Sequence, residues 1–271
     1  MSDRNSDNDT AEILVERRDG VAILLFNRPR SANAMGFTFG RALLAALDEL
    51  EDDDSVSAIV ISGVGKVFCA GGKIGEIFNV DGVDMEQQMR ASRNTFRAVQ
   101  RIREHELPVI CALNGAAIGG GAVVALACDL VVAAEEASYF FPFGRLGASA
   151  ADMGCAYMLP RIVGTARAKQ ILLTGAQISA QQGKLDGLFV DVVPRERVLD
   201  AAVDLARTII DAGPRRAVAA TKQTMLRSET TDYATCVSYE LYMQCYMLNT
   251  DEHKQRLKAF VAGRKDTRPG A

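Results

Sequence analysis

The chain has 271 residues, of which 48% are hydrophobic and 24% charged, and its 31 basic side chains against 34 acidic ones give a net charge of −3. This balance is typical of a globular protein and excludes a nucleic-acid partner, which requires a basic surface. The apolar runs are broken by Gly or Asp before they reach the length of a membrane span, so no membrane partner is expected.

Cysteine and histidine usage limits the kinds of site that the chain can build. Six cysteines are scattered without a metal-binding spacing, and His105 and His253 are the only histidines. We therefore expect reduced, buried thiols, and neither a metal site nor a histidine-dependent catalytic triad. Residues 1–10 are polar and acidic, which predicts a disordered leader rather than a signal peptide and a cytoplasmic location.

The first half of the chain alternates short strands with helices. AEILVERR and VAILLF flank a DG turn and predict a β-hairpin. FGRALLAALDELE has the apolar spacing of a helix. VSAIVISG and LPVICALNG are typical of buried strands, GGAVVALACD of a helix of small residues, and LVVAAEEASYFF of a strand-rich stretch. This order predicts an α/β core over residues 11–199.

Helical patterns dominate from about residue 150. They are punctuated by Gly and Pro and include RRAVAATKQTML, TTDYATCVSYELYMQCYML and TDEHKQRLKAFVAG. We expect a helical C-terminal region over residues 200–271, whose apolar content indicates packing on another subunit or on its own core. The polar stretch 76–92 contains Gly82 and is typical of a mobile lid.

Two glycine-rich turns each follow an apolar run and open into a helical pattern. They are VFCAGGKIGEIF at 67–78 and NGAAIGGGAVVALACDL at 114–130. Glycines allow a backbone to approach a ligand closely, and a helix start adds free N–H groups. The turns are purely structural, or they form an oxyanion hole for a carbonyl oxygen. A phosphate cradle is disfavoured, because neither turn has a GK[ST] ending or a GxGxxG pattern.

Several ordered motifs together resemble the crotonase superfamily, the enoyl-CoA hydratase/isomerase group. They are FNRPRSANAM, VFCAGGKIGEI, NGAAIGGGAVVALACDLVVAAEEASY, LPRIVG and DEHKQRLKAFVAGRK, and the resemblance extends from about residue 12 to 266. It implies a core of repeated ββα units in a spiral, a C-terminal helical trimerisation region, and a homotrimer or homohexamer. It also implies an acyl-CoA thioester as substrate, with CoA as part of that substrate and no separate cofactor.

The resemblance also implies roles for individual residues. The backbone N–H groups of Gly72 and Gly120 would hold the thioester oxygen, and the carbonyl of Ala70 would receive the adenine amino group of CoA. Ala34 and Ile74 would line the path of the pantetheine arm.

The chain departs from the family pattern at positions that matter for chemistry. The two catalytic glutamates of the hydratases match Val123 and Phe143, which cannot transfer protons and instead predict an apolar pocket wall. Lys73 stands where the family usually has Asp. Ala32 replaces a residue that is often basic, so Arg30 is the candidate ligand of the CoA phosphates, and Arg264 and Lys265 are alternatives. The other interpretation is that these cations are solvated surface charges.

Asp152 is the remaining candidate acid–base group. It is the one carboxylate in LGASAADMGCAYMLPRIVG, a segment that resembles isomerases of the superfamily. An acid among Ala, Met and Gly is expected to be desolvated, which raises its pKa toward a range useful for proton transfer. The alternative is that Asp152 caps a helix. Arg145 could orient a substrate carboxylate or pair with Asp152.

Three functions are compatible with this sequence. The first is an isomerase-type proton shift on an acyl-CoA thioester through an enolate. The second is another enolate reaction, such as hydration, decarboxylation or carbon–carbon cleavage, in which Arg145 would matter most for decarboxylation. The third is an acyl-CoA-binding protein without catalysis, which an apolar pocket would also suit.

Overall fold

The computed structural model describes residues 11–78, 82 and 84–266, with the backbone alone for 263–266. The predicted leader, residues 1–10, lies outside this part of the chain.

The chain divides into two compact units after Ile209, ten residues later than the boundary expected from the sequence. Two ion pairs explain the difference, because they tie residues beyond 199 to the N-terminal hairpin. Arg18 pairs with Asp200, and Arg207 pairs with Asp19.

The first unit is built on two sheets. Its described strands are β1 (Ile13–Arg18), β2 (Val21–Phe26), β3 (Ala58–Gly63), β4 (Val109–Leu113), β5 (Ala116–Ile118), β6 (Leu130–Ala134), β7 (Ser138–Phe140), β8 (Ile178–Ser179) and β9 (Asp191–Val193).

The larger sheet has the strand order β1-β2-β3-β4-β6-β9. β1 and β2 form the predicted antiparallel hairpin, closed by Asp19 and Gly20 with φ angles of 51° and 80°, as a tight type I′ turn requires. The other pairings are parallel, with Val21 opposite Ala58 and Ile59 opposite Val109. β3 and β4 are buried along their whole length, as expected of strands covered on both faces.

The smaller sheet has the order β5-β7-β8, with β5 parallel and β8 antiparallel to β7. Its first strand, β5, lies inside the second glycine-rich segment, which the sequence analysis assigned to a turn. The strand has three residues, which are too few to show the alternation of apolar and polar side chains that predicts a strand. It is defined by its pairing with β7. This sheet places the second turn beside the first.

Ten α-helices are described, and all of them except α2 and α6 fall in stretches that the sequence predicted to be helical. They are α1 (Phe39–Glu51), α2 (Met85–Glu104), α3 (Gly120–Leu126), α4 (Cys155–Val163), α5 (Thr165–Thr174), α6 (Ala180–Leu185), α7 (Val198–Ala212), α8 (Arg215–Ser228), α9 (Tyr233–Leu248) and α10 (Asp251–Asp266).

Helix α1 has the predicted bounds, because Phe39, Leu43, Leu47 and Leu50 recur on one face and are buried. Helix α2 begins at Met85 and therefore includes 85–92, the second half of the stretch interpreted as a lid. It is capped by the side chain of Asp84 and is amphipathic over its 20 residues. Residues 85–92 are therefore helical, 79–81 and 83 lie outside the described residues, and the mobile lid stays a prediction.

The second unit consists of α8, α9 and α10 with the end of α7. Helix α9 carries apolar side chains around its circumference and has no buried residue within this chain. Tyr233, Leu241, Tyr242 and Tyr246 are all exposed on it. Within the described residues, no helix combines the length and the apolar character needed to cross a bilayer.

Candidate active site

The two glycine-rich turns pack against each other through their backbones. Ile118 donates its N–H to the carbonyl of Cys69 at 2.9 Å. A Cβ atom on Gly71 would lie 2.6 Å from the carbonyl oxygen of Ile118, and one on Gly121 would lie 2.4 Å from that of Cys69. Gly71 also has a φ of 82°, which other residues rarely adopt. Glycine is therefore required where the turns meet.

The backbone of Gly72 is oriented by a bridge to Met35. Met35 donates its N–H to the carbonyl of Gly71 at 2.7 Å and accepts the N–H of Lys73 at 2.9 Å. Because Met35 bonds to both neighbours of Gly72, the N–H of Gly72 itself points to the opposite side. Among the described residues this N–H donates to no acceptor.

The second candidate donor is the N–H of Gly120, the first residue of helix α3. The first N–H groups of a helix have no intrahelical partner. Gly119, which precedes the helix, is held by its own N–H to the carbonyl of Phe140 at 2.7 Å. The nitrogen of Gly120 lies 3.5 Å from the position that a Cβ on Gly71 would occupy. The start of α3 is therefore adjacent to the first turn at Gly71, which is compatible with an oxyanion hole.

A cavity of about 310 Å³ lies at these turns, within the first unit. Gly72, Gly120, Phe143 and Asp152 all line it, so the structure brings together four of the residues predicted from the sequence. Asp152 is the only ionisable side chain among its described lining residues, and most of the others are apolar.

Asp152 lies in a turn before helix α4 and is half-buried. Burial raises the pKa of its carboxyl, and a hydrogen bond from the backbone of Met153 partly offsets the effect. The helix-cap alternative is wrong, because α4 begins after Gly154 and no side chain caps it. The structure therefore leaves the carboxylate available to the cavity.

The two positions of the missing glutamates differ in their surroundings. Phe143 lines the cavity, as expected of a pocket wall. Val123 is fully buried in the first turn of α3 and does not line the cavity. Its contact with a substrate stays a prediction.

The residues assigned to the CoA arm lie outside the cavity. Ala34 and Ala70 are half-buried, and Ala70 donates its N–H to the carbonyl of Ala32 at 2.9 Å. Ile74 is 87% exposed, and Arg30 is exposed in the short helical turn Pro29–Ser31. Their contacts with CoA stay predictions. The side chains of the alternatives, Arg264 and Lys265, are outside the described residues.

Arg145 does not pair with Asp152. Its guanidinium donates to the carbonyl of Gly175 at 3.3 Å and lies 5.1 Å from the ring centre of Phe140. It does not line the cavity. The expectation that it pairs with Asp152 is therefore wrong, and nothing in its position favours decarboxylation.

The sequence analysis missed the wall that helix α2 provides. Ser92, Thr95 and Phe96 line the cavity from this helix, opposite side chains such as Phe78. The side chain of Gln88 donates to the carbonyl of Ile77 at 3.1 Å and fixes α2 beside the first turn. The amphipathic spacing of 85–104 was the available signal.

Comparisons with known proteins agree with this geometry. The model of the enoyl-CoA hydratase/isomerase family matches residues 16–267. The 1,2-epoxyphenylacetyl-CoA isomerase of Escherichia coli is 34% identical over 93% of this chain and 96% of its own length. The short-chain-enoyl-CoA hydratase of Clostridium acetobutylicum is 30% identical over 93% of this chain and 95% of its own length.

A solved structure supports the same assignment. The enoyl-CoA hydratase from Bacillus anthracis superposes with a TM-score of 0.87 at 29% identity, covering 93% of this chain and 96% of that chain. The similar proteins thus include hydratases as well as an isomerase. The chain belongs to the enoyl-CoA hydratase/isomerase family, within the crotonase superfamily.

Proposed function

We propose that the protein is an enoyl-CoA isomerase that moves a proton along an acyl-CoA thioester, with Asp152 as the only acid–base group. The observation that carries this proposal is that the carboxylate of Asp152 lines the same cavity as Gly72 and Gly120. The proton acceptor and the candidate donors to the thioester oxygen thereby border one space.

The reaction divides between these groups. In a 3-enoyl thioester, the carboxylate of Asp152 takes a proton from C2, and the negative charge moves to the thioester oxygen. The N–H groups of Gly72 and Gly120 stabilise this dienolate, because preorganised donors in a water-poor site are worth several kcal/mol. The protonated Asp152 then returns the proton to C4, which gives the 2-enoyl thioester and restores the enzyme.

Hydration is disfavoured by the lining of the cavity. Water addition needs a group that activates water and a group that protonates carbon. Phe143 stands at one of the two glutamate positions and presents an apolar ring to the cavity. A proton shift by one carboxylate needs neither water nor a second acid, so it fits the residues that are present.

Deuterium exchange tests this proposal directly. The protein is incubated in deuterated water with 3-enoyl, 2-enoyl and saturated CoA thioesters, and deuterium uptake and product mass are followed by mass spectrometry. We expect the 3-enoyl thioester to convert to the 2-enoyl thioester with no gain of water, and deuterium to enter C2 and C4 when the proton held by Asp152 exchanges with the solvent before it is returned. Asp152→Asn should lower the exchange rate by at least about a hundredfold, while the exposed control Asp191→Asn should leave it unchanged.

Each other outcome supports a different function. A product heavier by one water would identify a hydratase. Binding of acyl-CoA without exchange or isomerisation of any thioester would identify a binding protein. Wild-type exchange in Asp152→Asn would remove Asp152 from the mechanism.

We also propose that the second unit joins copies of the chain into a homotrimer or homohexamer. The support is that helix α9 is apolar around its circumference while none of its residues is buried within one chain. Light scattering should detect three or six chains, and Leu241→Asp on α9 should shift the protein toward smaller species. A monomeric wild type would contradict this part of the proposal.

A further inference from the structure

We infer, on the basis of the proposed function, that the acyl group of the substrate is uncharged and carries an aromatic ring. Two properties of the cavity lead to this inference. One is its charge, and the other is the position of its phenylalanine side chains relative to the oxyanion donors.

The charge of the cavity excludes an acyl group with a second carboxylate. No Lys or Arg side chain is among the described lining residues, and the one charged group is Asp152. A carboxylate on the acyl group would lose water without gaining a counter-ion and would be repelled by Asp152. The other polar lining side chains are the neutral hydroxyls of Ser92, Thr95 and Ser149, none of which supplies the positive charge that a second carboxylate would need.

Aromatic rings stand beside Gly72, one candidate oxyanion donor, and beside Gly119, the residue that precedes the other. An edge atom of the Phe78 ring lies 2.5 Å from the position that a Cβ on Gly72 would occupy. The tip of the Phe143 ring lies 3.5 Å from the corresponding position on Gly119. The acyl carbons that follow the thioester carbonyl therefore begin next to two phenylalanine rings.

A third ring continues this apolar path. Phe96 lines the cavity from helix α2 and is nevertheless 47% exposed, and Phe78 is also partly exposed. Exposed ring faces in a cavity are favourable contacts for a bound aromatic ring, which stacks on them or meets them edge to face. A flexible alkyl chain covers such faces less completely and loses more rotational freedom when it is bound.

The cavity also has the required size. An apolar protein cavity of about 150 Å³ is large enough to hold benzene, and the volume here is about 310 Å³. The cavity can therefore accommodate a phenyl ring together with the carbons that connect it to the thioester.

A matched substrate pair tests the inference. 5-Phenylpent-3-enoyl-CoA and undec-3-enoyl-CoA have the same number of acyl carbons and the same double bond, and hex-3-enedioyl-CoA supplies a terminal carboxylate. We expect kcat/KM for the phenyl substrate to exceed that for the alkyl substrate by about tenfold. The dicarboxylic substrate should be at least about a hundredfold poorer than either.

A substitution of Phe96 tests whether the aromatic side chains of the cavity cause the preference for the phenyl substrate. Phe96→Leu should bring the ratio of phenyl to alkyl kcat/KM close to one. Met89→Leu on the same helix, where Met89 is exposed and does not line the cavity, should keep the wild-type ratio. A wild-type ratio of one or less, or equal turnover of the dicarboxylic substrate, would overturn the inference.

Binding of unreactive thioesters separates this inference from the proposed function. Dissociation constants of 5-phenylpentanoyl-CoA and undecanoyl-CoA, measured by calorimetry, report the acyl preference even if no thioester exchanges deuterium. Tighter binding of the phenyl compound without exchange would support the acyl preference and remove the isomerase. Deuterium exchange together with equal binding and equal turnover of the phenyl and alkyl thioesters would support the isomerase and overturn the acyl preference.

Discussion

The thiol of Cys155 donates a hydrogen bond to the carbonyl oxygen of Ala150 at 2.9 Å. The same sulfur accepts the backbone N–H of Asp152 at 3.5 Å. Cys155 is fully buried and is the first residue of helix α4, so the helix holds the turn that carries Asp152 through this sulfur. The orientation of the candidate base thus depends on a side chain that does not line the cavity.

Loss of this thiol should slow proton transfer without weakening substrate binding. We expect Cys155→Ala to lower kcat by about tenfold with little change in KM, because a small displacement of a reacting group is costly. Cys155→Ser keeps a donor and an acceptor and should retain most of the activity. Steady-state kinetics with a 3-enoyl thioester measures both parameters.

The control for this prediction is Cys128→Ala. Cys128 is also buried, but its thiol donates to the carbonyl of Val124 in α3 at 3.5 Å and not to the turn that carries Asp152. Its loss should affect stability more than kcat. Equal kcat values for Cys155→Ala and the wild type would show that the thiol does not position Asp152.

The pH dependence of activity should report the raised pKa of Asp152. The catalytic form is the carboxylate, so kcat/KM should fall as the pH is lowered through a pKa above the ordinary value of 3.8. A profile from about pH 4 to pH 8 measures this limb. A profile that is flat over this range would contradict the role of Asp152 as the base.

The raised pKa of Asp152 also predicts how the stability of the folded protein depends on pH. Burial favours the protonated form of Asp152 in the folded state. The contribution of Asp152 to the free energy of unfolding is therefore largest below its pKa in the unfolded chain and is lost as the pH rises through its pKa in the folded protein. Asp152→Asn removes the buried charge and should therefore melt at a higher temperature than the wild type at neutral pH. Thermal melts at acidic pH should show this gain disappearing.

The close contact between the glycine turns should tolerate no side chain. Ala is normally preferred over Gly within a helix, yet Gly121→Ala would bring its Cβ to 2.4 Å from the carbonyl oxygen of Cys69. We expect the turns to separate and kcat to fall by about a hundredfold. Gly144→Ala is the matched control, because nothing lies within 4 Å of its added Cβ. It should retain wild-type kcat.

The hydroxyl of Tyr139 predicts a stabilising substitution. Tyr139 is fully buried, and among the described residues its hydroxyl has no hydrogen-bond partner. An unsatisfied buried hydroxyl costs roughly 1–3 kcal/mol, so Tyr139→Phe should raise the free energy of unfolding by about 1 kcal/mol. Urea unfolding measures the change. A loss of stability in Tyr139→Phe would indicate that the hydroxyl is bonded in solution.

Local signals in the sequence were sufficient for the elements that are defined by short-range chemistry. The Asp19–Gly20 turn and the apolar face of α1 depend on neighbours in the chain. The glycines of both turns are visible in the sequence, although the contact that requires them joins distant segments. Asp152 could be selected because it is the one carboxylate in an apolar segment.

Other parts of the site depend on contacts between distant segments. β5 exists through its pairing with β7. The direction of the Val123 side chain, into the core, is fixed by how α3 packs, and Phe96 reaches the cavity only because α2 lies beside the first turn. Neither a residue type nor a spacing could supply these facts, since each requires the tertiary arrangement.

The junction of the two turns has a consequence for how this scaffold evolves. The atoms that would hold the enolate belong to the main chain and are fixed by glycines at the backbone contact. Side chains such as Phe143 and Asp152 approach the same space from other segments. Substitutions in those segments would change the side chains around this space and leave the backbone groups at the contact between the turns in place.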